Sequence, residues 1–306
     1  MSKITQEDLK EYHKLIADGY SQRKACELLG VARTTMQDTL KRESSASSKI
    51  TQADNKVKVL YFDLETTLAK SYHFQQWGVN LSAKQKIQES NLLSIAWAFN
   101  NGDVCGDILS KEEVLEHDDE RLILKLWCLL DNADIVVAHN ASKFDIKKAN
   151  TYFLKYGLNP PSPYRVVDTL RIAKKKFALP FNNLDYIANF LNVGSKLDTN
   201  IDLWIECDKG NQEALDKMLE YNICDVKVLR DVHKRLLTWD NNNVNMNTYN
   251  DDRFSCTNCG SDKVEMITNK FVHTNANKYL AYRCNDCGCV MRGNKHNSVG
   301  DKLLIV

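Results

Sequence analysis

Asp63 and Glu65 stand two residues apart at the end of an apolar run in the stretch KVKVLYFDLETT, residues 56–67. Val57, Val59, Leu60, Tyr61 and Phe62 give that run the β-branched and aromatic character of a buried strand. On a strand, side chains at i and i+2 share a face, roughly 6–7 Å apart. Two carboxylates aimed at one spot are either solvated at the strand's end or gathered around a cation. Two further acidic positions bear on the choice. In DIVVAHNASKFDIKKANTYFLKYG, residues 134–157, a strand runs through His139 and Asn140 into a helix whose first turn holds Asp145, a place the helix dipole favours for an acid. In LEYNICDVKVLRDVHKRLL, residues 219–237, Tyr221 and Asp225 are one turn apart on one helix face.

A second kind of chemistry is written near the end of the chain. Of ten cysteines, Cys26, Cys105, Cys128, Cys207 and Cys224 are scattered in apolar or helical settings and read as core thiols, whereas five crowd between 256 and 289. Cys256 and Cys259 form one C-x2-C pair, and Cys284 and Cys287 form another, each followed by a glycine. Four thiolates on two tight turns close a tetrahedral zinc site, so one structural Zn²⁺ is expected there, with Cys289 left over. The strand-like KVEMIT and KYLAYRC between the pairs resemble a zinc ribbon.

Secondary-structure patterns supply the elements that must carry these residues. Strands are predicted at 57–64, 92–99, 103–108, 134–138 and 165–168. Helices are predicted at 111–131, 144–157, 183–191 and from 211 to about 237, with a turn at 201–206. This mixture of strands and helices gives an α/β sheet covered by helices rather than a bundle. Ahead of it, residues 6–42 read as three short helices separated by Gly19 and Gly30, the second packing through Ala25, Leu28 and Leu29. The tight second connection fits a helix-turn-helix, whose last helix would offer Arg33, Thr34, Gln37 and Lys41 to phosphates and base edges. A three-helix protein-docking domain has the same pattern. The expected division is a helix-turn-helix domain at 1–43, a Ser-rich linker at 44–56, the α/β domain at 57–238, an Asn-rich linker at 239–252 and a zinc ribbon at 253–306.

Composition narrows the classes. The net charge of +1 favours no partner in bulk, but residues 1–50 and 253–302 are mildly basic and the stretch between is acidic. That suits a carboxylate-lined site with nucleic-acid-gripping modules on either side. No apolar leader and no long uninterrupted apolar run is present, and Lys125 breaks the best candidate at 122–130. A cytoplasmic protein with no membrane span is expected.

Taken together, D-x-E on a first strand, HN…FD after a later one and Y-x-x-x-D on the final helix resemble the DEDD exonuclease superfamily in its tyrosine subclass. The segments VVDTLRIAKKKF, LDYIANFL and EYNICDVKVL are similar to the ribonuclease H-like domain of YprB type. The resemblance covers residues 57–237. It implies a ribonuclease H-like fold in which Asp63, Glu65, Asp145 and Asp225 hold two catalytic Mg²⁺ or Mn²⁺ ions and Tyr221 orients the attacking water. The charge argument agrees: four converging carboxylates repel unless cations neutralise them. The implied activity is metal-dependent 3′→5′ exonucleolytic hydrolysis of nucleic acid, with DNA favoured. Its rivals are a transposon-type or junction-cutting endonuclease, an RNA-directed exonuclease and a non-catalytic DNA-binding regulator.

The remaining polar residues carry less. Asn140 suits a substrate contact and a bond to the loop backbone equally. His139 and His233 read as structural, and Asp168 as a helix N-cap. Lys174, Lys175 and Lys176 fit either a phosphate track or a solvated helix face.

Overall fold

The computed structural model describes residues 11–12, 15, 22–36, 39, 57–74, 77–195, 197–240, 244–249 and 254–296. Its centre is a five-stranded sheet built from β1 (Val59–Thr66), β4 (Leu92–Phe99), β5 (Cys105–Ile108), β6 (Ile135–Ala138) and β7 (Arg165–Asp168), in the order β5-β4-β1-β6-β7. β1 pairs antiparallel with β4 and parallel with β6, so it lies in the middle of a mixed sheet. Two very short strands, β2 (Lys70–Ser71) and β3 (Lys86–Gln88), form a separate hairpin-like arm between β1 and β4.

Helices cover both faces, which is why β1 is apolar on both sides before its acidic end. Leu60, Phe62 and Leu64 point into one core with Leu122, Leu126 and Phe153. Tyr61 points into the other with Val137, Ile187 and Leu229. The chain contributes α1 (Gln22–Leu28), α2 (Lys111–Glu116), α3 (Glu120–Asp131), α4 (Asp145–Lys155), α5 (Thr169–Lys176), α6 (Leu184–Leu191), α7 (Ile201–Asp208) and α8 (Gln212–Leu237). α8 is the organiser. Its buried stripe runs from Leu215 through Tyr221 and Asp225 to Leu236, so it packs along its whole length. Among the described residues no helix is long and apolar enough to cross a membrane.

The mixed sheet flanked by helices matches the expectation, with local differences. The single helix expected over 111–131 is two: His117 adopts a left-handed conformation and the fully buried Asp119 stands at the start of the second without a side-chain cap bond. Asp119 is drawn inward because its carboxylate accepts the Leu92 amide at 2.9 Å and the Tyr156 hydroxyl at 2.5 Å. Residues 244–249, expected within a linker, pack instead. Val244 is buried, Met246 and Tyr249 lie against the same core, and the Met246 amide donates to the Thr257 carbonyl at 2.8 Å. The few apolar residues punctuating an Asn-rich run supply the anchoring area.

The N-terminal segment also departs from its reading. Ala25, Cys26, Tyr12 and Met36 form its small core, while Leu28, expected inside, is exposed because Gln22, Ala25 and Cys26 set the buried stripe. Residues 33–36 are helical and Thr34 is exposed, whereas Gln37 and Lys41 lie outside the described residues, as does the expected linker 44–56. Arg33 does not simply face outward: its guanidinium pairs with the buried carboxylate of Glu120 at the start of α3. Beyond 253, β8 (Val264–His273), β9 (Lys278–Cys284) and β10 (Val290–His296) form an antiparallel sheet in the order β10-β9-β8.

Candidate active site and cysteine centre

β1 and β6 pair only as far as Tyr61 and Val137, and β6 pairs β7 one step further, Ala138 with Asp168. Past those positions the parallel strands part, which opens a crevice at their carboxyl ends, the usual place for a ligand in open α/β sheets. Asp63 and Glu65 extend β1 into this crevice and remain paired on the other side with Ala96 and Ser94 of β4. Their alternation with Leu64 places both on the face that α8 covers. Asp225, almost fully buried on α8, meets them there: one carboxylate oxygen from each of Asp63, Glu65 and Asp225 lies within 4.8 Å of the others. Tyr221 lies one turn earlier on α8, buried, with the Trp204 ring of α7 edge-on at 6.0 Å.

A residue not singled out from the sequence fixes this geometry. Asn222 is fully buried, donates through Nδ2 to Asp63 Oδ2 at 2.7 Å, and accepts through Oδ1 from the Ser94 hydroxyl at 3.0 Å. A neutral donor leaves Asp63 its charge and dictates which way its second oxygen faces. The available signal was a polar residue inside the apolar stripe of α8. Asn222→Asp replaces that donor with an acceptor beside Asp63, and a loss of divalent-ion affinity of at least about tenfold is expected. Calorimetric titration with Mn²⁺ would measure it.

Asp145 opens α4 and is almost fully buried. Burial chiefly, and then the like charges of Asp63, Asp168 and Glu65, push its carboxyl well above the ordinary range. Such a group must take a proton or a cation. The three carboxylates gathered within 4.8 Å fit a hard divalent ion held by oxygen, and Asp145 lies outside that group while its charge acts on it. The loop leading to Asp145 is organised by Asp168. Its carboxylate caps α5 by accepting from the Leu170 and Arg171 amides, and it also accepts from the amides of Asn140 and Ser142 at 3.1 and 3.2 Å. The cap expected from sequence is therefore half of what Asp168 does. Asn140 has a left-handed backbone (φ 70°) and its carbonyl accepts from Lys143 and Phe144. His139 bonds to Thr169 and to the Asn182 carbonyl, both at 2.9 Å, in keeping with a structural role. Asp168→Ala strands four amides and is expected to cost about 2–4 kcal/mol of stability. Urea unfolding of the two chains would show it.

Further down the same face of β1, Tyr61 meets His233 of α8, hydroxyl to Nδ1 at 3.0 Å. Burial pushes His233 down to about 4 and Tyr61 up to about 12. The imidazole is therefore neutral in the fold and takes a proton far more readily when unfolded. Between pH 6.5 and 4 the unfolded chain binds the extra proton, so stability is complete above 6.5 and falls as pH drops through that window. About 3 kcal/mol is expected to be lost at this one residue. His233→Gln should flatten that part of a stability–pH curve measured by denaturant titration.

The cysteine centre is built from two equivalent turns. Gly260 donates its amide to the Cys256 carbonyl and Gly288 to that of Cys284, each at 2.9 Å, with φ of 75° and 76° that suit glycine. The turns bring Cys256 Sγ to 3.5 Å from Cys287 Sγ and Cys259 Sγ to 3.7 Å from Cys284 Sγ. Four sulfurs around one zinc at about 2.3 Å sit roughly 3.8 Å apart, so the set fits a tetrahedral ion and is too open for disulfides. Among themselves the thiols share protons: hydrogen bonds from Cys259 and Cys289 hold Cys256 far below the ordinary thiol range, and the bond to Cys256 holds Cys259 far above it. A zinc ion would take the place of those protons. The centre abuts the end of α8, where Asn258 Nδ2 donates to the Leu237 carbonyl and the Thr238 hydroxyl to the Cys287 carbonyl, both at 2.7 Å.

Comparison with known proteins finds partial matches. Protein NEN2 of Arabidopsis thaliana is 22% identical over 165 residues, which are 50% of this chain and 34% of that protein. The family B DNA polymerase of the hyperthermophilic archaeon Pyrobaculum calidifontis superposes with a TM-score of 0.46 at 15% identity, over 60% of this chain and 25% of the polymerase. The chain thus spans about a third of the first and a quarter of the second. The model of the RNase_H superfamily matches residues 60–237, the stretch that runs from β1 to the end of α8. With the matched stretch exceeding half of its length, the chain belongs to the RNase_H superfamily.

Proposed function

We propose that this chain is a metal-dependent nuclease, and more narrowly a 3′→5′ exonuclease of the tyrosine DEDD subclass that hydrolyses DNA. The observation that carries the reading is the convergence of Asp63, Glu65 and Asp225 within 4.8 Å of one another, with Asp145 buried beside them. Asp63, Glu65, Asp145 and Asp225 would hold a pair of Mg²⁺ or Mn²⁺ ions. Such a pair, when bound, supplies a water acidified to near neutral pH and charge to stabilise the leaving oxygen. Tyr221 would orient the attacking water from α8, with Trp204 fixing its ring. Asn222 holds Asp63 in one rotamer, and Asp168 holds the loop that delivers Asn140 to the substrate side of the crevice.

The flanking segments complete the proposal. Residues 253–306 form a zinc ribbon holding one Zn²⁺ through Cys256, Cys259, Cys284 and Cys287. Residues 1–43 form a helix-turn-helix that grips duplex DNA through Thr34, Gln37 and Lys41. Arg33 is removed from that contact set, because its ion pair with Glu120 engages it within the chain. A chain starting near Val57 loses the Arg33–Glu120 pair and is expected to bind duplex DNA more weakly while keeping its turnover at saturating substrate, because neither residue belongs to the carboxylate group. Equal duplex affinity at low salt would assign residues 1–43 to protein docking.

End-labelled linear duplex incubated with Mg²⁺ or Mn²⁺ tests the activity. A ladder growing from one labelled end supports the exonuclease, internal cuts support a junction or transposon-type endonuclease, and no hydrolysis removes the nuclease reading. Parallel single-stranded DNA and RNA substrates decide the preferred nucleic acid.

A further inference from the structure

Two residues after Glu65 the chain leaves the sheet, and it does not return until Asn91. The exit is clamped: the Thr67 amide donates to the Asn91 carbonyl at 2.9 Å, and the Asn91 amide to the Thr67 hydroxyl at 2.8 Å. Between them lies the arm that carries β2 and β3. Its described residues include three exposed aromatic side chains: Tyr72 is 73% exposed, Trp77 85%, and Phe74 fully. Three bare rings in one short segment are costly unless they have an occupant.

The arm is held against the site. Lys70 on β2 pairs with Asp208 at the end of α7, the helix whose Trp204 buttresses Tyr221. The Tyr72 amide donates to the Gln85 carbonyl at 2.8 Å, and Ser82 with Gln85 forms a capping box at the far turn. The rings therefore extend from the rim of the crevice that holds Asp63 and Glu65. Charge distinguishes the arm from that crevice. Residues 68–90 carry Lys70, Lys84 and Lys86 against Glu89 alone, so the arm is net basic by sequence beside an acidic pocket, although Lys70 and Lys86 already pair with Asp208 and Glu89.

The geometry points to a stacking platform for unpaired bases: the arm takes up a single-stranded nucleic-acid end whose terminal phosphate enters the carboxylate crevice. Rings accept any base face without reading sequence, and the arm's net positive charge favours a phosphate backbone. A duplex presents no base faces to such rings, so the arm selects frayed or single-stranded ends. The inference rests on the nuclease reading for what happens to the phosphate, but not for the binding itself.

The test is anisotropy of fluorescent oligo(dT) and oligo(U), which cannot form duplex for a helix-turn-helix to hold, with the full-length chain in buffer without added magnesium or manganese. Replacing Tyr72, Phe74 and Trp77 together by Ala is expected to weaken binding about tenfold or more. The ring-preserving pair Tyr72→Phe and Trp77→Phe should bind within about twofold of the parent, which separates lost stacking from lost structure. Weaker binding of both oligomers by the Ala variant assigns the platform to single strands generally, and weaker binding of one assigns it to that nucleic acid. Equal affinity of parent and Ala variant for both overturns the platform and leaves the rings to a protein partner. Hydrolysis of a thymidine 5′-monophosphate nitrophenyl ester by the parent chain with Mg²⁺ is read separately. Its failure would remove the nuclease and leave the binding result standing.

Discussion

Asp63→Ala and Asp225→Ala chains are expected to fold and to lose Mg²⁺-dependent hydrolysis by about a thousandfold or more. Each residue supplies an oxygen to the group within 4.8 Å, and losing an ion forfeits several kcal/mol of transition-state stabilisation, at one decade per ~1.4 kcal/mol. Tyr221→Phe should slow the reaction far less, since the ring stays packed on Trp204 and only the hydroxyl is lost. Stability is expected to move the opposite way. Burial and three acidic neighbours raise the Asp145 carboxyl. An acid whose folded value lies above its unfolded value costs stability at every pH above the unfolded value, and the cost is complete above the folded one. Without divalent ions, Asp145→Asn should therefore melt higher than the parent at neutral pH. Mn²⁺ should raise the melting temperature of the parent more than that of the variant. Thermal unfolding of the two chains with and without Mn²⁺ measures this, and normal turnover by Asp63→Ala or Asp225→Ala would refute the site.

The second large effect is expected at the cysteines. Purified protein should carry one zinc per chain by elemental analysis, and Cys284→Ser should carry none. Thiolate binding supplies the folding free energy of so small a sheet, so residues 254–296 should become protease-sensitive in the variant. The nuclease core should survive, because its two cores are built without these residues. The last turn of α8 should fray, since Asn258 and Thr238 no longer tie it to the cysteine turns. Hydrogen exchange over residues 230–240 reads that fraying directly. A zinc-free parent with all five local thiols reactive would refute the centre.

Much of this was legible because single elements carry their own signatures. The apolar run before Asp63 reads as a core strand, the stripe of α8 as a long helix, and the spacing of four cysteines as a metal set. What escaped is what depends on partners far away in sequence. Asn222 falls within the inward stripe of α8, but nothing local says what it bonds until β1 lies across it and Asp63 needs a donor. Asp119 breaks the expected helix only because Leu92 and Tyr156 require an acceptor inside the core. Leu28 reads as core by type, yet the small inward stripe of Gln22, Ala25 and Cys26 leaves it outside. The residues between Thr67 and Asn91 have no strong period, so neither β2 nor β3 was expected. The Asn-rich stretch after α8 reads as linker by composition, although in its described part three apolar residues suffice to dock it.

The bond between Asn222 and Asp63 joins residues 159 positions apart. It gives the molecule a temporal order during synthesis. β1 leaves the ribosome early with two of its carboxylates already in place, but the helix that supplies Asp225, Tyr221 and Asn222 follows only after every other strand of the large sheet has been made. Contacts of such long range are slow to form, because loop closure must precede any gain from them. A nascent or prematurely terminated chain therefore lacks the assembled carboxylate group, and whatever chemistry that group performs is withheld until α8 has been translated.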